Sequence, residues 1–419
     1  MKGRVPFRFL TGTLITLAIL CIAAPDAMAI PAFARKYKTS CVTCHYGFPK
    51  LNGFGKAFRN NGYRWPGGDE NARKEEPVSL GSEGYKKMWP KAVWPSDMPG
   101  YFPISLHVVG RTNYTAQSDV KWEFETPHEI ELLYGGTLGE HFSFFGEVEL
   151  ENEGGETEIG YPVALQYDHN PALHIRMGFV GSDFAESGAR FTRNHYNVAS
   201  LRTRNGWRSR DDQYGFEVWG AHNGASDRGG FTYRFGVVNG TGLSDNNNAK
   251  DFYGRATFKV GGLGEAGGKG EESAASDPLR DDSITMGGFF YKGTASKDGA
   301  EDEDFTVYGA DAEFWYKNLI ASGVLMQMKS EIPGTSDRTS RAFYLQGSYA
   351  IYPWLYGLVR YEWRDSDTAS DAVKPVTSVI PALTMLARAN IKFILELQKF
   401  LDDANKDNTT FVAQMQFGL

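Results

Sequence analysis

Residues 411–419 read Phe411-Val412-Ala413-Gln414-Met415-Gln416-Phe417-Gly418-Leu419, with Phe, Ala, Met, Phe and Leu at every second position. A period of two puts those side chains on one face of an extended chain, which is the pattern of a strand and not of a helix. Working back from this segment, the same alternation recurs in pieces of about ten residues separated by Gly, Asn and Asp turns. It begins at Ile104, Leu106 and Val108 and includes Phe142, Phe144, Val148 and Leu150. It continues at Leu173 to Val180, Tyr214 to Trp219, Phe231 to Val238, Phe252 to Val260, Ile284 to Lys292, Phe305 to Tyr316 and Leu319 to Met328. Further pieces are Ala342 to Ala350, Leu355 to Trp363, Val376 to Leu386 and Ile391 to Gln398, with less regular ones at His128 to Tyr134 and Ile159 to Tyr167.

The count is about sixteen, an even number, and strands that are only half apolar suit a transmembrane β-barrel of porin size. Composition agrees. Aromatics make up 14% of the chain, glycines number 48, and the mean hydropathy is −0.40. No apolar run is long enough for a transmembrane helix. A soluble β-propeller would repeat a motif at a fixed period, and none is present. The terminal segment, with an aromatic residue near its end, looks like the closing strand of outer-membrane barrels. The formal net charge of −7 argues against nucleic acid as a partner.

The other decisive stretch is Ser40-Cys41-Val42-Thr43-Cys44-His45. C-x-x-C-H is the attachment pattern of a c-type haem: each thiol adds to one vinyl group, and His45 lies in place to be the proximal iron ligand. The remaining cysteine, Cys21, falls inside an expected export signal. A thioredoxin-like C-x-x-C needs a βαβ context that is missing here. A structural zinc site needs four ligands, and the next histidine is His107.

Four segments follow. Residues 1–29 read as a cleaved signal peptide, with Lys2, Arg4 and Arg8, an apolar core from Leu14 to Ala24, and Ala27-Met28-Ala29 as the cleavage site. Leu20 before Cys21 is too large for a lipoprotein signal. Residues 30–65 form the expected haem unit, with a short helix from Pro31 to Lys38 and a second carrying Leu51, Phe54 and Phe58 on one face, stopped by Gly62. Phe33, Tyr37, Phe48 and Tyr63 complete its apolar surface, which is scarcely enough to fold without a cofactor. Residues 66–103 are a linker rich in Pro, Gly and Lys, where regular structure is not expected. Residues 104–419 are the barrel.

Candidate partners for the sixth iron position are Met88, Met98 and His107, the last pointed into the lumen by its strand phase. A methionine ligand would raise the potential. Glu147, Glu149 and Glu151 share the inward face of one strand and Glu129 and Glu131 that of the preceding one, hard donors suited to a ferrous ion or simply a charged lumen. Arg190, Arg193, Arg202, Arg204, Arg208 and Arg210 form a basic cluster that could fold inward as an anion constriction, bind lipopolysaccharide phosphates or remain solvated. The hydrophilic stretches Ser182 to Asp212, Gly261 to Asp282 and Arg364 to Lys374 are expected as extracellular loops.

The run Pro31-Ala32-Phe33-Ala34-Arg35, then Cys41 to His45, then Phe48-Pro49-Lys50-Leu51-Asn52-Gly53-Phe54-Gly55, Phe58 and Gly62-Tyr63 resembles the fused monohaem cytochrome–porins. These are outer-membrane iron-oxidising cytochromes and their relatives. The specific match covers residues 31 to 63, and the barrel is similar to theirs and to phosphate-selective porins in pattern only. The resemblance implies one covalent haem c and passage of electrons across the outer membrane. Extracellular Fe(II) or another redox partner would be the donor and a periplasmic cytochrome or other carrier the acceptor, as in an iron:cytochrome oxidoreductase. Because tunnelling falls off steeply with distance and the apolar band of a barrel is about 25 Å tall, the haem unit is expected inside the lumen as a plug. Alternatives are an anion porin with a structural haem plug, an electron-transfer porin working outward, and a haem enzyme or sensor such as a peroxidase.

Overall fold

The computed structural model describes residues 32–68, 78–79, 87–88, 90, 97–98, 102–153, 156–180, 201–209, 213–240, 246–268, 280–297, 299–370 and 374–418. The expected signal peptide, Arg190, Arg193, Arg210 and most of the linker lie outside the described residues.

The strands are β1 (Ile104–Thr115), β2 (Trp122–Leu138), β3 (Phe142–Glu153), β4 (Glu156–Gly160), β5 (Val163–Asn170) and β6 (Leu173–Val180). They continue with β7 (Gln213–Asn223), β8 (Gly230–Val238), β9 (Asp251–Gly261), β10 (Ser283–Ala295), β11 (Glu303–Tyr316) and β12 (Leu319–Glu331). The series ends with β13 (Arg338–Tyr352), β14 (Leu355–Asp365), β15 (Val376–Arg388), β16 (Ile391–Phe400) and β17 (Thr409–Gly418). Neighbouring staves pair antiparallel, and β17 closes on β1 with Phe411 opposite Tyr114 and Phe417 opposite Val108. β4 and β5 share one stave: β4 pairs with the far half of β3 and β5 with its near half, split at Tyr161-Pro162. Pro162 has no N–H to give a ladder, yet its carbonyl accepts from Glu147 N at 3.0 Å. The barrel therefore has sixteen staves, and the expected Ile159 to Tyr167 piece is this divided one.

The alternation sorts side chains between lipid and lumen. Outward stand Leu132, Leu150, Phe216, Phe235, Phe258, Met286, Leu325, Leu345, Val359 and Leu395, all exposed. A band of this kind is stable against acyl chains and not against water. Aromatic residues flank it, with Tyr352 stacked on Trp354 at 5.5 Å at one rim and Phe343 against Trp363 at 5.5 Å toward the other. Inward lie paired charges, among them Arg255 with Asp311 at 2.6 Å and Arg360 with Glu362 at 2.6 Å. Among the described residues no helix is long and apolar enough to cross a membrane.

One end of the barrel carries the short turns 139–141, 171–172, 317–318, 353–354 and 389–390 together with the start of β1 and the end of β17. The other end carries the connections 181–212, 239–250, 366–375 and 401–408. Short turns face the periplasm and longer loops the exterior in outer-membrane barrels. The stretch Gly261 to Asp282 departs from its expectation: it joins β9 to β10 at the short-turn end, so it is not an extracellular loop. Its length and polarity carry no direction. Only the parity of the strands before it does.

The amino-terminal segment folds as α1 (Ala32–Tyr37), a single 3-10 turn (Cys41–Thr43), a ribbon pairing His45–Gly47 with Lys50–Leu51, and α2 (Gly53–Asn60). Leu51 lies in the ribbon, one turn before the helix that holds Phe54 and Phe58. In the linker, Val78–Ser79 pairs with Asp97–Met98, a short ladder where no regular structure was expected.

The sidedness is testable by labelling intact cells with a membrane-impermeant maleimide. Ser336→Cys should react and Gly268→Cys should not until the outer membrane is opened.

Candidate functional site

The C-x-x-C-H segment is built from its neighbours in sequence. Asn52 caps α2 by accepting from Gly55 N at 2.9 Å, while its amide nitrogen donates to the carbonyls of Val42 and Thr43, each at 3.1 Å. Its own backbone N–H donates to Cys44 O at 3.0 Å. One side chain thus fixes both the start of the helix and the turn between the cysteines. Gly55 is needed for the same contact, since a Cβ there would stand 2.0 Å from the carbonyl oxygen of Cys44. Cys44 packs against the cluster of Tyr37, Phe54 and Phe58, as do Phe33, Tyr63, Trp65 and Leu263.

Neither thiol is in a disulfide. Burial pushes the Cys41 thiol up and that of Cys44 to about 12. Burial also holds the His45 imidazole down at about 4, so the ring is neutral at ordinary pH. His45 Nδ1 lies 3.3 Å from the carbonyl of Pro49, which selects the Nδ1–H tautomer and leaves Nε2 as the free lone pair. Two thiols flanking a single turn, followed by a neutral histidine oriented from behind, are residues able to hold a haem.

The unit is tied, at the short-turn mouth, to staves around the ring. Ala32 N donates to Ser105 Oγ at 2.8 Å, and Arg35 donates to Phe102 O at 2.7 Å. Lys56 pairs with Glu313 at 2.7 Å and Lys50 joins the same carboxylate, with Tyr46 lodged between Trp315 and Tyr356. Arg64 pairs with Asp168 at 2.9 Å and donates to the carbonyls of Gly139 and Phe142. His174, itself bonded to Asp168, meets the Asn60 carbonyl at 3.0 Å. The 261–282 connection takes part: Asn60 and Asn61 donate to the carbonyls of Glu265 and Ala266 at 2.8 and 2.7 Å.

Of the three candidate sixth ligands, Met88 is 69% exposed, and the side chain of Met98 lies outside the described residues. His107 is buried at the same mouth, its ring 5.2 Å from that of Phe48, which is in turn 5.2 Å from His45. The expected acidic face is present. Glu129 stands opposite Glu151 and Glu131 opposite Glu149, all half-buried. It extends to residues the sequence reading passed over: Glu125 bonds Arg111, and His128 sits between Glu125 and Glu151 at 3.1 and 3.4 Å.

At the opposite end, residues 201–209 turn into the barrel. The buried groups there are Leu201, Thr203 and Trp207, whereas Arg202 and Arg204 are exposed and Arg208 half-buried. Trp207 packs on Phe305 at 4.4 Å and Tyr291 at 4.9 Å, and Asn205 N donates to Glu303 at 2.9 Å.

Two outcomes are expected of chain refolded from inclusion bodies, whose thiols are bare. Asn52→Ala strips donors from two carbonyls at a cost of about 1–3 kcal/mol each where they are buried, and Gly55→Ala forces α2 off Cys44. Both should speed proteolysis of residues 32–68 and alkylation of Cys44, with the barrel intact. The second outcome concerns pH. The free segment takes a proton on His45 near 6.5 and the docked one only near 4, so docking is fully stable above about 6.5 and weakens as pH falls through that window. The same proteolysis assay, run against His45→Gln, checks this.

No family model and no curated relative matches the chain. Among solved structures, an anion-selective porin from Comamonas acidovorans aligns over 75% of this chain and 99% of its own, at 12% identity and a TM-score of 0.51. The outer-membrane channel DcaP of Acinetobacter baumannii aligns over 82% and 100% at 11% identity and 0.48, and a loop-deletion mutant of OmpT from Vibrio cholerae over 75% and 98% at 11% and 0.48. The chain folds as an outer-membrane β-barrel of the porin type.

Proposed function

We propose that this protein is an outer-membrane electron-transfer barrel in which Cys41, Cys44 and His45 carry one covalent haem c. The observation that carries the reading is the C-x-x-C-H segment seated in the periplasmic mouth, with His45 neutral and its Nδ1 engaged by Pro49. Such a group supplies one-electron exchange when bound. The residues around it do three things. Asn52 and Gly55 hold the turn between the thiols, Pro49 orients His45, and the Lys56–Glu313 and Arg64–Asp168 pairs fasten the unit to the wall. With one mouth occupied by this unit and residues 201–209 folded in at the other, the barrel is better suited to passing electrons than solutes. Extracellular Fe(II) is the proposed donor and a periplasmic cytochrome or similar carrier the acceptor.

A second reading, an anion porin in which the unit is a structural plug, is favoured by the likeness of fold to the anion-selective porin. Stopped-flow spectroscopy of the purified protein mixed with Fe(II), alongside planar-bilayer conductance, separates the two. Reduction of the haem bands with little ion current is expected. No reduction at near-neutral or acidic pH, together with steady anion conductance, would establish the porin instead.

A further inference from the structure

We propose that His107, Glu129 and Glu131 form a binding site for one divalent first-row transition-metal ion on the lumen wall. A ligand atom from each of the three lies within 4.8 Å of the others. Two hydrogen-bonded strands hold them: His107 of β1 is opposite Glu131 of β2, and Glu129 is two residues along the same face. That spacing sets the donors on a stiff backbone, so little ordering is needed on binding.

One ring nitrogen of His107 meets Glu131 at 2.5 Å, the Gln416 side chain stands beside the ring, and Nε2 has no hydrogen bond of normal geometry, in a residue only 8% exposed. Glu149 and Glu151 stand across from the two carboxylates. Arg111 pairs with Glu125, and Lys392, which acts on His107, donates to the carbonyl of Phe48. His128 is held by Glu125 and Glu151. An ion there would take one nitrogen and two carboxylate oxygens, and such a mixed donor set fits manganese, ferrous iron, cobalt or zinc better than calcium or a soft cuprous ion. Phe48 touches both His107 and His45, so the ion would be one ring away from the C-x-x-C-H unit. The binding claim holds whether or not that unit carries a haem.

The test uses full-length protein purified in detergent, stripped with chelator and titrated with Mn(II), the free ion being followed by electron paramagnetic resonance. Haem content is measured separately as the pyridine haemochrome. Wild type should take up one ion per chain, and the near-isosteric Glu129→Gln/Glu131→Gln pair and His107→Ala should each lose it. Heat-modifiable migration in gels reports that the barrels are folded, and the double Gln variant decides if His107→Ala does not fold. Wild-type chain that binds no ion stoichiometrically, or variants that bind as wild type does, overturn the site. If His107 instead ligates haem iron, His107→Ala alone shifts the haem bands and wild type takes up no ion, which also overturns it. Loss of haem with ion binding retained counts against the electron-transfer reading only.

Discussion

Everything in this structure depends on the requirement that no backbone N–H or C=O be left bare in lipid. A sheet meets it only by closing, and closure comes from the pairing of the last strand with the first, Phe411 to Gly418 against His107 to Tyr114. Once the ring is shut, each strand's second face must look inward. The lumen then becomes a place where charge, ring and hydrogen bond can be arranged without regard to solubility in the bilayer. The paired Arg255 and Asp311, the Glu313 carboxylate and the acidic face around Glu131 are all products of that freedom.

The same closure gives the amino-terminal unit its support. It is small, with a core of its own built on Tyr37, Phe54 and Phe58. In isolation such a core would be marginal. Here the barrel wall serves as the remainder: Tyr46 is completed by Trp315 and Tyr356, Tyr63 by Phe145, and the two lysines by a single buried carboxylate. The C-x-x-C-H turn is held locally by Asn52 and globally by the ring.

Much of this was legible in the sequence, and the parts that were not share a cause. Alternation is a local property, so the staves, their number and the inward faces of Glu129, Glu131, Glu147, Glu149 and Glu151 could be read from it. The side on which Gly261 to Asp282 emerges is a property of the whole count of strands, and polarity alone misplaced it. The inward burial of Leu201 and Trp207 is set by Tyr291 and Phe305, far along the chain, and nothing near residue 201 announces it. Asn52 and Gly55 were within reach, because an Asn before a Gly-x-Gly run is a helix-start signal. Their grip on the cysteine turn was not, since it depends on the helix folding back over it.

The fastening of the plug also dictates an order of assembly. Its ties reach β1 at Ser105, β5 at Asp168, β11 at Glu313 and β16 at Lys392, positions spread around the circumference. These partners converge only when the ring exists, so the unit cannot be seated on an open sheet. The chain between Trp65 and Phe102 is long enough to let it wait on the periplasmic side while the barrel forms, and Arg35 brings it back to the seam itself, at Phe102 beside the first strand. Biogenesis is then a matter of corking a finished vessel from within the cell, with any cofactor chemistry on the cysteines completed while the stopper still hangs free.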